Sequence, residues 1–290
     1  MNRGVYLILA FGLIGVSFGA PLARYVPELA ALTIAFWRMT GASLLLWGYG
    51  GIQKQGDLEK SMILPIVVAG IFLGLHFGFF YSAVKVAPIA NATLFATMAP
   101  FFTLIYERFV LHRHLSRAAL SGLLLAIAGA VIIQGTGLKL ESEASLGNLL
   151  ALASSLAMSV VLILAERIRS STANVLYTRW VYMIAAITLG VIILISGTDI
   201  SFKTPDVKWL LGLAILPTLI GHNSMSYAVK FIRPTIVGAM PFGEPVLASI
   251  LAWILFGETV SWYVALGGGL TLTGLVVMTL NRSAAKISVV

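Results

Sequence analysis

Five ionisable side chains stand well inside long apolar runs of this sequence, away from the run ends, where charge is most costly. Arg38 lies in the run Leu29 to Tyr49, His76 in Met62 to Val84, Arg179 in Ala173 to Ser196, His222 in Val207 to Val229 and Glu244 in Thr235 to Phe256. At the centre of an apolar crossing such a group costs roughly 2.5–3.5 kcal/mol, so each needs a partner or a task. An Arg can grip a carboxylate through parallel N–H donors. A carboxyl can hold a proton or an ammonium, and a neutral imidazole donates at one nitrogen and accepts at the other.

Glu244 is the acid nearest the middle of a run, and Pro241, Gly243 and Pro245 around it interrupt the helix and free backbone carbonyls. One reading makes it the partner of an Arg. The other makes it the proton-coupling group, alternating between a proton and a substrate ammonium. If Glu244 pairs with one Arg, the second is left to match a substrate carboxylate, which favours an amphoteric or anionic solute. Arg38 sits about nine residues, or ~13 Å, into its run, and Arg179 lies at a comparable depth from the other side. Both are candidates for substrate binding, with snorkelling to the interface as the structural alternative.

His76 and His222 occupy nearly equivalent positions of an internal repeat described below. His76 shares a helical face with Phe72, Phe79 and Phe80, turned away from the row Gly70, Gly74 and Gly78. The glycine row suits close helix packing. The histidine face would line an aromatic pocket, or else the imidazole is simply satisfied by a backbone carbonyl. Asn91, Phe95, Met98 and Asn223 are further lining candidates. Trp37 and Trp180 flank the two Arg residues and belong either to a cavity or to an interfacial aromatic belt; Trp180, Trp209, Trp262 and Tyr263 read as belt.

The elements that position these groups must be membrane helices. The chain is 59% hydrophobic and 10% charged, with a mean hydropathy of +0.97. Ten apolar runs follow one another: Gly4–Ala20, Leu29–Tyr49, Met62–Val84, Ile89–Val110, Leu115–Gln134, Leu146–Ala165, Ala173–Ser196, Val207–Val229, Thr235–Phe256 and Trp262–Leu280. At roughly 20 residues per crossing, 290 residues suffice for ten crossings and short loops. The first run, behind Arg3, resembles a secretory signal, but its removal would spoil the repeat, so it is expected to stay.

The net charge of +8 does not point to nucleic acid, because the 19 Lys and Arg are scattered at segment ends. With the amino terminus in the cytoplasm, twelve of them fall inside, five outside and two within spans, so both termini are expected to be cytoplasmic. No Cys is present, and the four His lack ligand spacing on a shared face, so no metal is expected. Gly267-Gly268-Gly269 has no following Lys-Ser/Thr, so it is no phosphate loop. No nucleophile, base and orienting acid form one constellation, and neither a cofactor nor an enzyme activity is expected.

Ala83-Val84-Lys85 recurs as Ala228-Val229-Lys230, an offset of 145 residues. The same offset relates Pro100 to Pro245, Leu115-Ser116 to Val260-Ser261, Gly122 to Gly267 and Gly129 to Gly274. Residues 1–138 and 146–290 are therefore read as two five-helix repeats. Five is odd, so the second enters from the opposite side. The expected fold is an all-α integral membrane protein of ten transmembrane helices in two inverted five-helix repeats. Two such copies, exchanging conformations, would expose a midplane site to each side in turn.

Several motifs resemble the drug/metabolite transporter superfamily and, within it, the EamA group of ten-helix exporters. They are Phe36-Trp37-Arg38, Tyr81-Ser82-Ala83-Val84-Lys85, Met98-Ala99-Pro100-Phe101-Phe102, Ser226-Tyr227-Ala228-Val229-Lys230, Glu244-Pro245-Val246-Leu247-Ala248 and Phe256-Gly257-Glu258. The family usually closes both the fourth and ninth helices with Gly-Glu; here the fourth closes with His112-Arg113. That loop is read as a basic cytoplasmic anchor. The resemblance implies export of amino acids or similar metabolites across a bacterial cytoplasmic membrane, through a cavity made by helices one to four and six to nine. Carriage of sugars, nucleotide conjugates or toxic compounds is the alternative within transport, and a membrane scaffold or intramembrane enzyme the alternative outside it. The expected partners are a small-molecule substrate and the lipid bilayer, with the chain a monomer or a homodimer.

Overall fold

A computed structural model describes residues 3–53, 55–135 and 145–280. Every regular element among them is helical: α1 Arg3–Ser17, α2 Gly19–Ala23, α3 Ala31–Ile52, α4 Lys60–Val86, α5 Ile89–Ala96, α6 Ala99–Phe109 and α7 Arg117–Gln134, then α8 Ser145–Ile168, α9 Asn174–Ser196, α10 Val207–Leu213, α11 Asn223–Ala228, α12 Pro234–Ala239, α13 Glu244–Phe256 and α14 Trp262–Leu280. A wide π-helical run, Ala214–His222, joins α10 to α11, and a 3-10 turn, Met240–Gly243, joins α12 to α13.

Among the described residues, seven segments are long and apolar enough to cross a membrane: Gly4–Ala23, Lys60–Val86, Arg117–Gln134, Leu146–Ile168, Asn174–Ser196, Pro234–Phe256 and Trp262–Leu280. The expected count of ten includes three more segments. One, α3, carries Arg38 amid its apolar residues; the other two are broken, at Thr97–Met98 and across the π run. Apolar side chains such as Leu7, Phe11, Leu44, Leu194 and Trp253 point outward, as a lipid-solvated surface requires. Lys139 and the rest of the linker between the repeats lie outside the described residues.

Small residues set which helices touch. Along α4, Gly70, Gly74 and Gly78 face Ile184, Thr188 and Ile192 of α9 in step, so these helices run parallel and the glycine row is a packing seam. The α3 and α9 pair is antiparallel: Phe36 meets Gly190, and the Ser43 hydroxyl donates to the Arg179 carbonyl at 3.0 Å. In α7 and α14, also antiparallel, Gly122 abuts Gly274 and Gly129 abuts Gly267, and Thr271 Oγ1 donates to the Ala126 carbonyl at 3.4 Å. Elsewhere α4 packs on α8, and α1 on the π run, α11 and α13. Both α5 and α6 pack on α8, and α6 also packs on α12.

The bundle has two ends. At one, Arg24 is ion-paired with Glu258, Tyr25 stacks on Trp209 with centroids 4.0 Å apart, and Thr33 donates to the Asp199 carbonyl at 2.5 Å. At the other, Arg113 pairs with Glu166 at 2.8 Å, and Arg233 donates to the His114 carbonyl at 2.8 Å. Arg169 there donates to the Thr172 and Ser226 carbonyls. Arg113, read as a bare anchor, thus has a carboxylate partner on α8.

A Cβ at Gly129 would run into the Gly267 carbonyl and Thr271, whereas one at Gly269 meets nothing within 4 Å. Overpacking a tight seam costs about 1–3 kcal/mol. Gly129→Leu should therefore lower the thermal unfolding midpoint of detergent-solubilised protein by several degrees, while Gly269→Leu should leave it close to the parent. Equal midpoints for the two variants would remove the seam from the account.

Candidate functional site

Arg38, 7% exposed, is placed by the eighth residue of α3 against the π run. The reason lies in Pro217. In an α-helix the Leu213 carbonyl would accept from the N–H of residue 217, and proline has none. The Thr218 hydroxyl donates to that carbonyl instead, at 3.0 Å, and its oxygen accepts from Arg38 Nε at 2.7 Å. A guanidinium nitrogen of Arg38 also donates to the Pro217 carbonyl at 3.5 Å. A side-chain hydrogen bond joins Arg38 to Tyr81 of α4, and its charge senses Glu244 and Tyr182. The guanidinium carbon stands 5.1 Å from the Phe77 ring centroid, a cation–π approach.

Phe77 is the hub of an aromatic group: His76 lies 4.9 Å from it, His222 5.8 Å and Tyr81 6.3 Å between centroids. His76 does not point freely into a pocket. Its Nδ1 sits 3.0 Å from the Ser154 carbonyl oxygen and 2.9 Å from Ser154 Oγ, so α8 clips it in place. The backbone-satisfied alternative therefore describes His76 better than the lining one.

Glu244 opens α13 just after the 3-10 turn, and it lies on the wall of a cavity of about 410 Å³. Ala20 and Pro21, Thr93 of α5, Thr97 just beyond it, Gln134, Pro241, Pro245, Ala248, Ser249 and Ala252 share that wall. The cavity opens at the end marked by Arg24, Phe256 and Glu258. From Glu244 to Phe256 the 13 residues of α13 span roughly 18 Å at 1.5 Å each, so Glu244 forms the floor and the Arg24–Glu258 pair the rim.

The structure divides the sequence candidates into groups. Arg38, His76, His222 and Glu244 belong to one charged and aromatic cluster. Phe80 and Phe95 pack against Ala83, Ala92, Ala96 and Ala151 in a separate small core, beside the buried Asn91, whose amide donates to Asn148 Oδ1 at 2.9 Å. Trp37 is outside both: its indole N–H donates to the Ile200 carbonyl at 2.9 Å and its ring meets Phe202 edge-on. Arg179 lies over Trp47 at 4.3 Å, in the α3–α9 seam, apart from the Arg38 cluster. Asn223 accepts from the Asn174 amide at 2.7 Å near the Arg113 end.

Sequence reasoning missed Phe77, Tyr81, Thr218 and Ser154 as site residues. The signal for Tyr81 was its four-residue spacing from Phe77, which puts both on one helical face. The signal for Thr218 was the adjacent proline, which leaves a carbonyl in need of a donor.

Two stretches of the chain, residues 2–135 and 145–280, match the model of the EamA-like transporter family. An uncharacterized transporter of Archaeoglobus fulgidus is 24% identical over 97% of this chain and 99% of its own. The aromatic amino acid exporter YddG of Ancylobacter novellus is 28% identical over 74% of this chain and 76% of its own. One solved crystal structure superposes with a TM-score of 0.84 at 21% identity, covering 97% of this chain and 98% of that one, a likeness of fold. With helices fit to span a bilayer and family matches over most of its length, the chain is an integral membrane protein that belongs to the EamA-like transporter family.

Proposed function

We propose that this chain is a secondary transporter that exports amino acids or similar small metabolites by alternating access, with Glu244 as the group that exchanges substrate ammonium for a proton. The observation that carries the reading is the cavity: it reaches from one end of the bundle to a carboxyl facing a buried guanidinium. An ammonium entering it meets Glu244, and a carboxylate would be drawn toward the charge of Arg38 behind the cavity wall. The name of the Ancylobacter novellus relative supports an aromatic amino acid as the first substrate to test.

Alternating access needs two halves that can exchange roles. Ten crossings in two inverted sets of five, residues 1–138 and 146–290, supply them in this reading. Support comes from contacts between repeat equivalents. Phe77 touches His222 and Ala126 accepts from Thr271, each pair 145 residues apart, as expected for groups beside a two-fold axis. Gly122 with Gly274 and Gly129 with Gly267 are mutual images under the same exchange. The basic residues Arg113, Arg169 and Arg233 at one end support placing that end, and both termini, in the cytoplasm of a bacterial cell.

Proteoliposomes loaded with phenylalanine and other amino acids, with and without a proton gradient, test the reading. Glu244→Gln should reduce gradient-driven flux at least tenfold while insertion stays normal; unchanged pH-dependent flux would remove Glu244 from the coupling role. Arg38→Ala removes the cation from this buried cluster. The variant should lose flux of carboxylate-bearing solutes more than that of phenethylamine, which carries an amine alone. Equal losses for both would reduce Arg38 to a structural support.

A further inference from the structure

The bundle is open at the Glu258 end and shut at the Arg113 end, and the same two pairs of half-helices form both. At the open end, Thr93 of α5, Thr97 just after it, and Ala248, Ser249 and Ala252 of α13 stand on the cavity wall. At the shut end, α6 and α12 are packed together, with Gly238 against Pro100. Between them lies Glu107, which has no exposed surface. One of its carboxylate oxygens accepts the Thr235 backbone N–H at 3.2 Å, and the other is buried without a partner. Around it are Arg233 and Glu166, the latter paired with Arg113.

The repeat offset of 145 places Ala252 where Glu107 stands and Ala90 where Thr235 stands. The open end therefore has no carboxylate at the equivalent point. We propose that Glu107 is a latch: its hydrogen bond to Thr235 holds the Arg113 end shut, biases the protein toward the state open at the Glu258 end, and breaks once in every cycle. The proposal rests on the alternating-access reading. One charge-assisted hydrogen bond present in a single state shifts a two-state population by roughly tenfold or more.

The chain has no cysteine, so single-cysteine reporters are clean. Ser249→Cys reports the cavity, and Thr103→Cys, buried one turn from Glu107 in α6, reports the shut end. Each is labelled in oriented vesicles with a membrane-impermeant maleimide. In the parent, S249C should react from the Glu258 side and T103C should resist. Adding E107A should raise T103C labelling from the Arg113 side about tenfold and slow S249C, while E107Q, which keeps an acceptor oxygen, should stay within about twofold of the parent. A252E, which installs a carboxylate at the opposite end and leaves Glu107 in place, should also slow S249C and expose T103C. Unchanged labelling in E107A, or both reporters rising together, overturns the latch. A reciprocal shift with A252E but none with E107A overturns the latch alone; no reciprocal shift in any variant overturns alternating access as well.

Discussion

The structure turns on holding one guanidinium inside an apolar bundle. Arg38 cannot shed its charge, so every neighbour must offer it an acceptor or a π face. Pro217 begins the solution by lacking an N–H, Thr218 bridges the orphaned Leu213 carbonyl to the guanidinium, and the Pro217 carbonyl is a further acceptor. Tyr81 and Phe77 close it from α4, and the Glu244 carboxyl answers its charge from the first turn of α13. Five segments of the chain thus converge for an electrostatic reason, and the same convergence leaves a carboxyl facing a cavity.

Glycine seams make that convergence possible. Where Gly70, Gly74 and Gly78 let α9 approach α4, Phe77 and Tyr81 are carried toward Arg38, and Tyr182 arrives from the other side of the seam. A side chain on this row would push α9 away from α4 and loosen the packing behind Phe77 and Tyr81. Packing in a bilayer relies on such close approach, because lipid tails provide no hydrophobic drive between helices. Away from the site, α7 and α14 use the same device on each other.

The sequence made the charged members of the site legible and left the neutral ones hidden. Arg38, His76, His222 and Glu244 stood out because an ionisable group in an apolar run needs explanation. Phe77 and Tyr81 did not, since aromatic residues fill membrane helices for many reasons. Arg179 shows the limit of depth as a guide. Its position along α9 matched that of a site residue, but its direction carries it to Trp47, and rotation about a helix axis cannot be read from depth alone. For His76 the sequence left pocket lining and a backbone carbonyl as equal alternatives, and the partner that decides between them, Ser154, lies 78 residues away. The ten-run reading met a similar difficulty, since helix breaks at Thr97–Met98 and Ala214–His222 interrupt otherwise apolar segments.

Compared position by position at the 145-residue offset, the two stretches share small residues and prolines and differ in several charges. Positions related by 145 residues share the glycines and prolines that determine how helices approach and bend: Gly122 and Gly267, Gly129 and Gly274, Pro100 and Pro245. Lys85 and Lys230 keep the pattern, but several ionisable positions break it: Glu244 corresponds to Ala99, Glu107 to Ala252, Arg113 to Glu258 and His222 to Phe77. A frame with equal halves gives its two end states similar packing. Any difference in stability between them, and any affinity that depends on which end is open, then has to come from the groups that are not duplicated. The ion pairs illustrate the point, because Arg113 with Glu166 and Glu258 with Arg24 bind opposite ends of the bundle with the charges exchanged. In the proposed alternating-access reading, shape would supply the capacity to switch, and the unduplicated chemistry of Arg38, Glu107 and Glu244 would give it a direction.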